Sequence, residues 1–196
     1  MGLLKLKTKL SVEDYLEGEK TSPVRREYFW GEIYPRPDSD VDHNRIAGNL
    51  LTALAIHLRN SIYEVFHSQI KVRAAENVIY YPDILVSCEE NPENPYFRNR
   101  PILIIEVASP STEKIDRREK LLFYQQMPSV QEYAIVDQHK INIELHRRQP
   151  DGRWITYYFD ESDTEIEFQS VKLTLPLNEI YRRVRFEKNA NTDICE

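Results

Sequence analysis

Two carboxylates stand where ordinary folding would not place them. Asp83 follows Tyr80-Tyr81-Pro82 and opens the apolar run Ile84-Leu85-Val86, while Glu106 ends the run Ile102-Leu103-Ile104-Ile105 just before Val107. A charged carboxylate inside an apolar strand is costly unless something compensates it, so each asks for a cation. If the two strands are neighbours, both carboxylates converge on one hard divalent ion, Mg2+ or Mn2+, which takes oxygen ligands and keeps several waters. The peptide carbonyl of Val107 completes such a set. Lys120 lies on the helical stretch that follows, with Asp116 and Tyr124 one turn to each side on the same face. A lysine aimed at the metal orients an attacking water or steadies the phosphorane charge during phosphodiester cleavage. A plainer reading uses the same residues. Asp83 then caps a turn after Pro82, Glu106 forms a structural ion pair with an Arg or Lys, and Asp116–Lys120 is a solvated pair worth only a few tenths of a kcal/mol.

Positioning these groups requires a particular order of elements. Ser11 to Glu17 predicts a short helix ended by Gly18, and Glu27–Trp30 and Glu32–Tyr34 flank Gly31 as an aromatic-rich hairpin closed by Pro35 and Pro37. Ser39 to His43 supplies cap-type residues before the stripe Ile46, Ala47, Leu50, Leu51, Leu54 and Leu58, which predicts a helix over about 41–59. Strands follow over 63–73, 78–87 and 101–108, the last covered on both faces. The stretch 89–100, with two prolines and three asparagines, reads as a surface loop. A helix over 113–126 stops before Pro128. Runs at 132–136, 141–145 and 154–159 form a meander, and a short helix near Pro176 or Asn178 ends the core.

Composition bounds the answer. The chain has 196 residues, which is one domain over 1–188 with a polar tail over 189–196. Against 32 Asp and Glu stand 26 Lys and Arg, a formal net charge of −6, which excludes coating of nucleic acid by bulk charge. Cys88 and Cys195 form no metal cluster or disulfide framework. No segment has the length of a signal core or a membrane span, so a cytoplasmic protein with no membrane partner is expected.

Pro82-Asp83, Ile105-Glu106-Val107-Ala108-Ser109-Pro110-Ser111-Thr112, Asp116-x-x-x-Lys120-x-x-x-Tyr124 and Val130 to Asp137 together resemble the Uma family of restriction-endonuclease-like bacterial proteins, within the PD-(D/E)XK nuclease superfamily. The similarity also reaches Glu27–Tyr34, Ser39–His43 and Leu175–Tyr181. It implies an α/β (α+β) fold: a restriction endonuclease-like mixed sheet flanked by helices, with added hairpins and a meander. It further implies a metal-dependent DNA endonuclease in which Asp83 and Glu106 bind the metal and a lysine is the third catalytic group. In the strict motif that lysine lies two residues after the acid, where this chain has Ala108. The pattern resembles a migrated arrangement in which Lys120 reaches the same space. Two further positions match the family. Glu27 adds an acid or sits in a buried ion pair, and His43 acts as a base or phosphate contact or makes a helix-start hydrogen bond. Ser109 caps the next helix or bonds near the site.

Lys114, Arg117, Arg118, Arg147, Arg148 and Arg153 are candidates for a local basic face, but Glu113, Asp116, Glu119, Glu144 and Asp151 interleave with them as on a salt-bridged surface. His57, His67, His139 and His146 have no ligand spacing. Two functions follow: an endonuclease acting on DNA, with a homodimer as one way to cut both strands, or a catalytically inactive binding protein on a nuclease scaffold, the reading that Ala108 and the acidic balance favour.

Overall fold

The computed structural model describes residues 9–89, 94–109 and 112–186. Its centre is β8 (Pro101–Ala108), whose apolar run needs cover on both faces and receives it. On one side β8 pairs antiparallel with β6 (Ile84–Ser87), and on the other it pairs parallel with β9 (Glu132–Asp137). The parallel pairing requires a crossover, supplied by α3 (Glu113–Ile115), a π-helical turn over Asp116–Lys120 and α4 (Leu121–Gln126). The meander β9, β10 (Asn142–Arg148) and β11 (Trp154–Asp160) extends this sheet, and β3 (Glu64–His67) closes its other edge, in the order β11-β10-β9-β8-β6-β3.

A second sheet has the order β2 (Glu32–Pro35), β1 (Arg26–Phe29), β5 (Val78–Tyr80), β4 (Lys71–Ala75), β7 (Phe97–Arg98). It contains the early hairpin of β1 and β2, whose turn places Trp30 and Gly31 at positive φ as a two-residue hairpin loop demands. One face of the large sheet packs on α2 (Val41–Leu58), whose Ile46, Leu50, Leu54 and Leu58 are buried against Ile84, Leu103, Ile105, Val107 and Val136. The hairpin β12 (Glu165–Phe168) and β13 (Leu173–Pro176), with α5 (Leu177–Ile180), covers the same face. The opposite face buries Leu85, Ile104, Tyr133 and Ile135 against Val72, Val78 and Tyr80 of the second sheet and Tyr124 of α4. The first helix, α1 (Val12–Glu19), adds a small core of Val12, Tyr15, Tyr28 and Ile79.

Several expectations need correction. The runs over 63–73 and 78–87 are each two strands, because the two paired runs turn together from one sheet into the other. β3 pairs with β6 and β4 with β5, and the breaks fall at 68–70 and 81–83. Ser68 takes a positive φ at this corner and its N–H donates to Asp83 O at 3.1 Å. Pro82 lies in the break, where no ladder donor is needed. The stretch read as a surface loop contributes β7, with Phe97 and Arg98 buried; residues 90–93 lie outside the described residues. α1 continues through Gly18 to Glu19. Tail residues 189–196 also lie outside the described residues.

Candidate active site

The sheet-to-sheet corner creates the site. The antiparallel register sets Ile84 opposite Ile105, so one step further Asp83 stands across from Glu106 at the end of β6, on the same face. Both carboxylates line a cavity of about 410 Å3 together with Glu27, Arg36, His43 and Lys120. The five side chains proposed for the metal and catalytic roles are therefore brought together, with Arg36 beside them, although the six come from both sheets, two helical segments and a linker.

Asp83 is 4% exposed and fully engaged. Its Oδ2 accepts from the Val107 N–H at 2.8 Å and lies 3.3 Å from His43 Nε2, while Oδ1 is bound by Arg36 Nη2. Burial alone would raise this carboxyl, but the His43 hydrogen bond, the Arg36 charge and the Val107 N–H outweigh it and hold it well below the ordinary range. His43 is placed by the helix cap: Asp40 accepts from the His43 N–H at 2.9 Å, and its other oxygen accepts from Gln138 Nε2 at 2.9 Å.

Glu106 is 1% exposed. Its Oε1 lies 3.0 Å from Lys120 Nζ and accepts from Tyr124 OH at 3.4 Å, and its Oε2 lies 3.9 Å from Arg36. Burial pushes its carboxyl up to about 8; the Asp116 and Asp83 charges add to this, and Lys120 and Arg36 oppose it. Lys120 also reaches Glu27 Oε1 and Asp116 Oδ1, each at 3.2 Å. These three carboxylates overcome its desolvation and hold the ammonium charged. Glu27 arrives from β1 and also accepts the Tyr81 N–H at 3.0 Å, tying the second sheet to the corner. The π turn keeps Asp116 and Lys120 on the buried face with Tyr124, and such turns often accompany functional sites.

The charge count within this cluster tests whether a metal suits it. Glu27, Asp83, Glu106 and Asp116 bring four carboxylates; Arg36 and Lys120 bring two cations. The excess of two negative charges can be met by protons, in line with the raised Glu106 carboxyl, or by one divalent ion. The donors are carboxylate and carbonyl oxygens, the set Mg2+ and Mn2+ prefer. Among the described residues no three His, Cys, Asp or Glu side chains form a ready-made cage. Two carboxylates and a carbonyl with the remaining positions left to water fit Mg2+, so the residues present suit the ion.

Arg36 was not among the residues singled out from the sequence, yet it bridges both acids. Its signal was its place between Pro35 and Pro37, which fix the backbone around it. Ala108 is buried on the Glu106 face among Val72, Tyr80 and Tyr124, and Lys120 supplies the amine there instead. The Ser109 carbonyl accepts the Glu113 N–H at 2.9 Å, at the start of the crossover. The basic candidates do not gather at the cavity. Arg117 pairs with Glu113 and Glu144, Arg147 with Glu132, and Arg153 with Asp151, while Arg148 is held by the carbonyls of Gln125, Met127 and Val130.

Residues 12–178 match the model of Uma2, a family described as "Putative restriction endonuclease". This chain belongs to the Uma2 family. Two Synechocystis sp. proteins, both named as uncharacterized, are similar to it along nearly their whole length. One is 33% identical over 91% of this chain and 94% of that protein, the other 32% identical over 84% and 95%. Among solved structures, a nuclease of the DUF820 group from Anabaena variabilis, itself described as putative, matches with a TM-score of 0.71 and 20% identity. It covers 88% of this chain and 97% of that one, which establishes the nuclease-like α+β fold of this Uma2 protein.

Proposed function

We propose that this Uma2 protein is a divalent-metal-dependent endonuclease that hydrolyses DNA phosphodiesters. The observation carrying this reading is the convergence of Asp83 and Glu106, opposed across two strands, beside a buried lysine in a cluster short of two positive charges. Asp83, Glu106 and the Val107 carbonyl would hold Mg2+ or Mn2+. When bound, such an ion polarises a phosphoryl oxygen and lowers the pKa of a bound water.

The chain's own residues do the rest. Val107 N–H and His43 fix the Asp83 carboxylate, so one of its oxygens is oriented before any ligand arrives. Lys120 has three donors and three carboxylate partners, so it contacts an attacking water by giving up one of them. Its charge also lies where it lowers the energy of a phosphorane-like transition state. Glu27 and Asp116 keep Lys120 charged and aimed at the cavity.

The test is nicking of supercoiled DNA with Mg2+ or Mn2+, beside the same assay with Glu106→Ala. Wild type nicks only with the metal, and the variant loses at least a hundredfold in rate. Cleavage that survives in Glu106→Ala contradicts the assignment. A chain that binds DNA but cuts with no divalent ion is instead the inactive scaffold that Ala108 favours.

A further inference from the structure

A second cavity, about 720 Å3 in volume, lies on the other side of the Asp83 wall. It shares Arg36, Ser39, His43 and Asp83 with the first cavity, so a chain-like ligand crossing Asp83 would occupy both. Its volume is that of a ligand site rather than a packing defect. It runs along the first turns of α2, where Gly48 leaves open space: a Cβ built there meets nothing within 4 Å. The segment before β1 and the corner at Ser68 form the opposite wall.

Two guanidinium groups line it incompletely satisfied. Arg36 uses Nη2 on Asp83, but its Nη1 is buried with no hydrogen-bond partner among the described residues. His43 donates through Nε2 to Asp83, so its Nδ1, buried without a partner among the described residues, is an acceptor and takes no part in binding an anion. Arg25 donates through Nη1 to Ser68 O and Oγ, both at 2.8 Å, and has no carboxylate within 4 Å among the described residues. The Arg36 N–H donates to Arg25 O at 2.8 Å, which locks the two backbones side by side. The acids on the wall are Asp83, already claimed by Arg36 and His43, and the exposed Asp38. Buried polar atoms normally find partners, so the unpartnered Arg36 Nη1 beside the cavity and the carboxylate-free Arg25 guanidinium on its wall are donors that match the geometry of phosphate.

We propose that this cavity binds a phosphate of the nucleic-acid backbone next to the one that is cut, through Arg25 and Arg36. The proposal rests on the nuclease reading for the identity of the ligand, while the chemistry of the site, a phosphate between two guanidinium groups, stands on its own. Arg25 is the informative position because it touches neither carboxylate of the proposed metal site.

Binding of a fluorescein-labelled single-stranded oligodeoxynucleotide is measured by anisotropy in EDTA over 50–200 mM salt, for wild type, Arg25→Met and Arg25→Gln. The glutamine variant keeps a hydrogen-bonding group for Ser68 and removes only the charge. Both variants should bind about fivefold to tenfold more weakly at mid-range salt, with the slope of log K against log salt reduced by about 0.7, one phosphate contact. In parallel, inorganic phosphate at matched ionic strength should raise the melting temperature of wild type and not of either variant. Unchanged affinity and slope, with phosphate stabilising all three proteins equally, overturns the proposal and leaves the nuclease reading intact. Arg25-dependent stabilisation by phosphate without any oligonucleotide binding keeps the phosphate site and contradicts nucleic acid as its ligand.

Discussion

Arg36 occupies the space between Asp83 and Glu106 that a divalent ion would share. Unlike charges at that spacing attract by about 4 kcal/mol at an effective dielectric of 20, so arginine and metal compete for the same oxygens. Arg36→Met should therefore tighten Mn2+ binding by about tenfold, read by EPR titration, while lowering stability in EDTA; weaker Mn2+ binding would show instead that Arg36 helps hold the ligands. Asp83 and Glu106 were legible because charged residues in apolar surroundings carry their own signal, and Lys120 through its one-turn spacing from Asp116 and Tyr124 and the family resemblance. Arg36 was not, because a charged residue in a linker looks solvated until the fold buries it. His146 gives a second test at this scale. Burial, and then the Arg117 charge, lower its pKa from 6.5 to about 4, with Nδ1 on Thr156 Oγ1 and the ring stacked on Tyr133. The folded chain binds this proton less readily than the unfolded one. Its contribution is thus complete above pH 6.5 and lost as pH falls towards 4, by up to roughly 3 kcal/mol. His146→Phe keeps the stacking and should flatten that acid-side loss in urea titrations. An unchanged pH profile would show that other groups carry it.

Elements were legible where a single period governs them. The α2 stripe and the apolar run of β8 need no tertiary knowledge, since each declares its own burial. Leu50 is fully buried under the sheet, and Leu50→Ala should lower stability by about 2–5 kcal/mol, seen as an earlier urea midpoint with unchanged slope. A loss below about 1 kcal/mol would show that α2 is not packed as described. The corner was not legible: the stretch from Tyr63 to Arg73 carries no glycine or proline, and its break exists because two paired strands turn together. The π turn was hidden for a similar reason. Asp116 to Lys120 is an unbroken run of charges, which reads as a solvated surface, whereas Asp116 and Lys120 are 1% and 3% exposed. What buries them is the carboxylate cluster, not their own hydropathy.

For the whole molecule, the net charge of −6 excluded charge-driven coating of nucleic acid, and the arrangement agrees where Arg117, Arg147 and Arg148 are spent on neighbouring acids and carbonyls. The excess acid is partly concentrated at one place, the corner where two sheets, the crossover and the Arg36 linker meet. There a divalent cation is the partner we propose. The most direct test is a Mn2+ titration, followed by EPR, of wild type beside Asp83→Asn, which keeps the side chain's shape and removes its charge. Wild type should bind one Mn2+ that Mg2+ displaces, and the variant should lose at least tenfold in affinity. Equal, weak binding by both proteins would contradict a metal site at Asp83 and Glu106, and the enzymatic account with it.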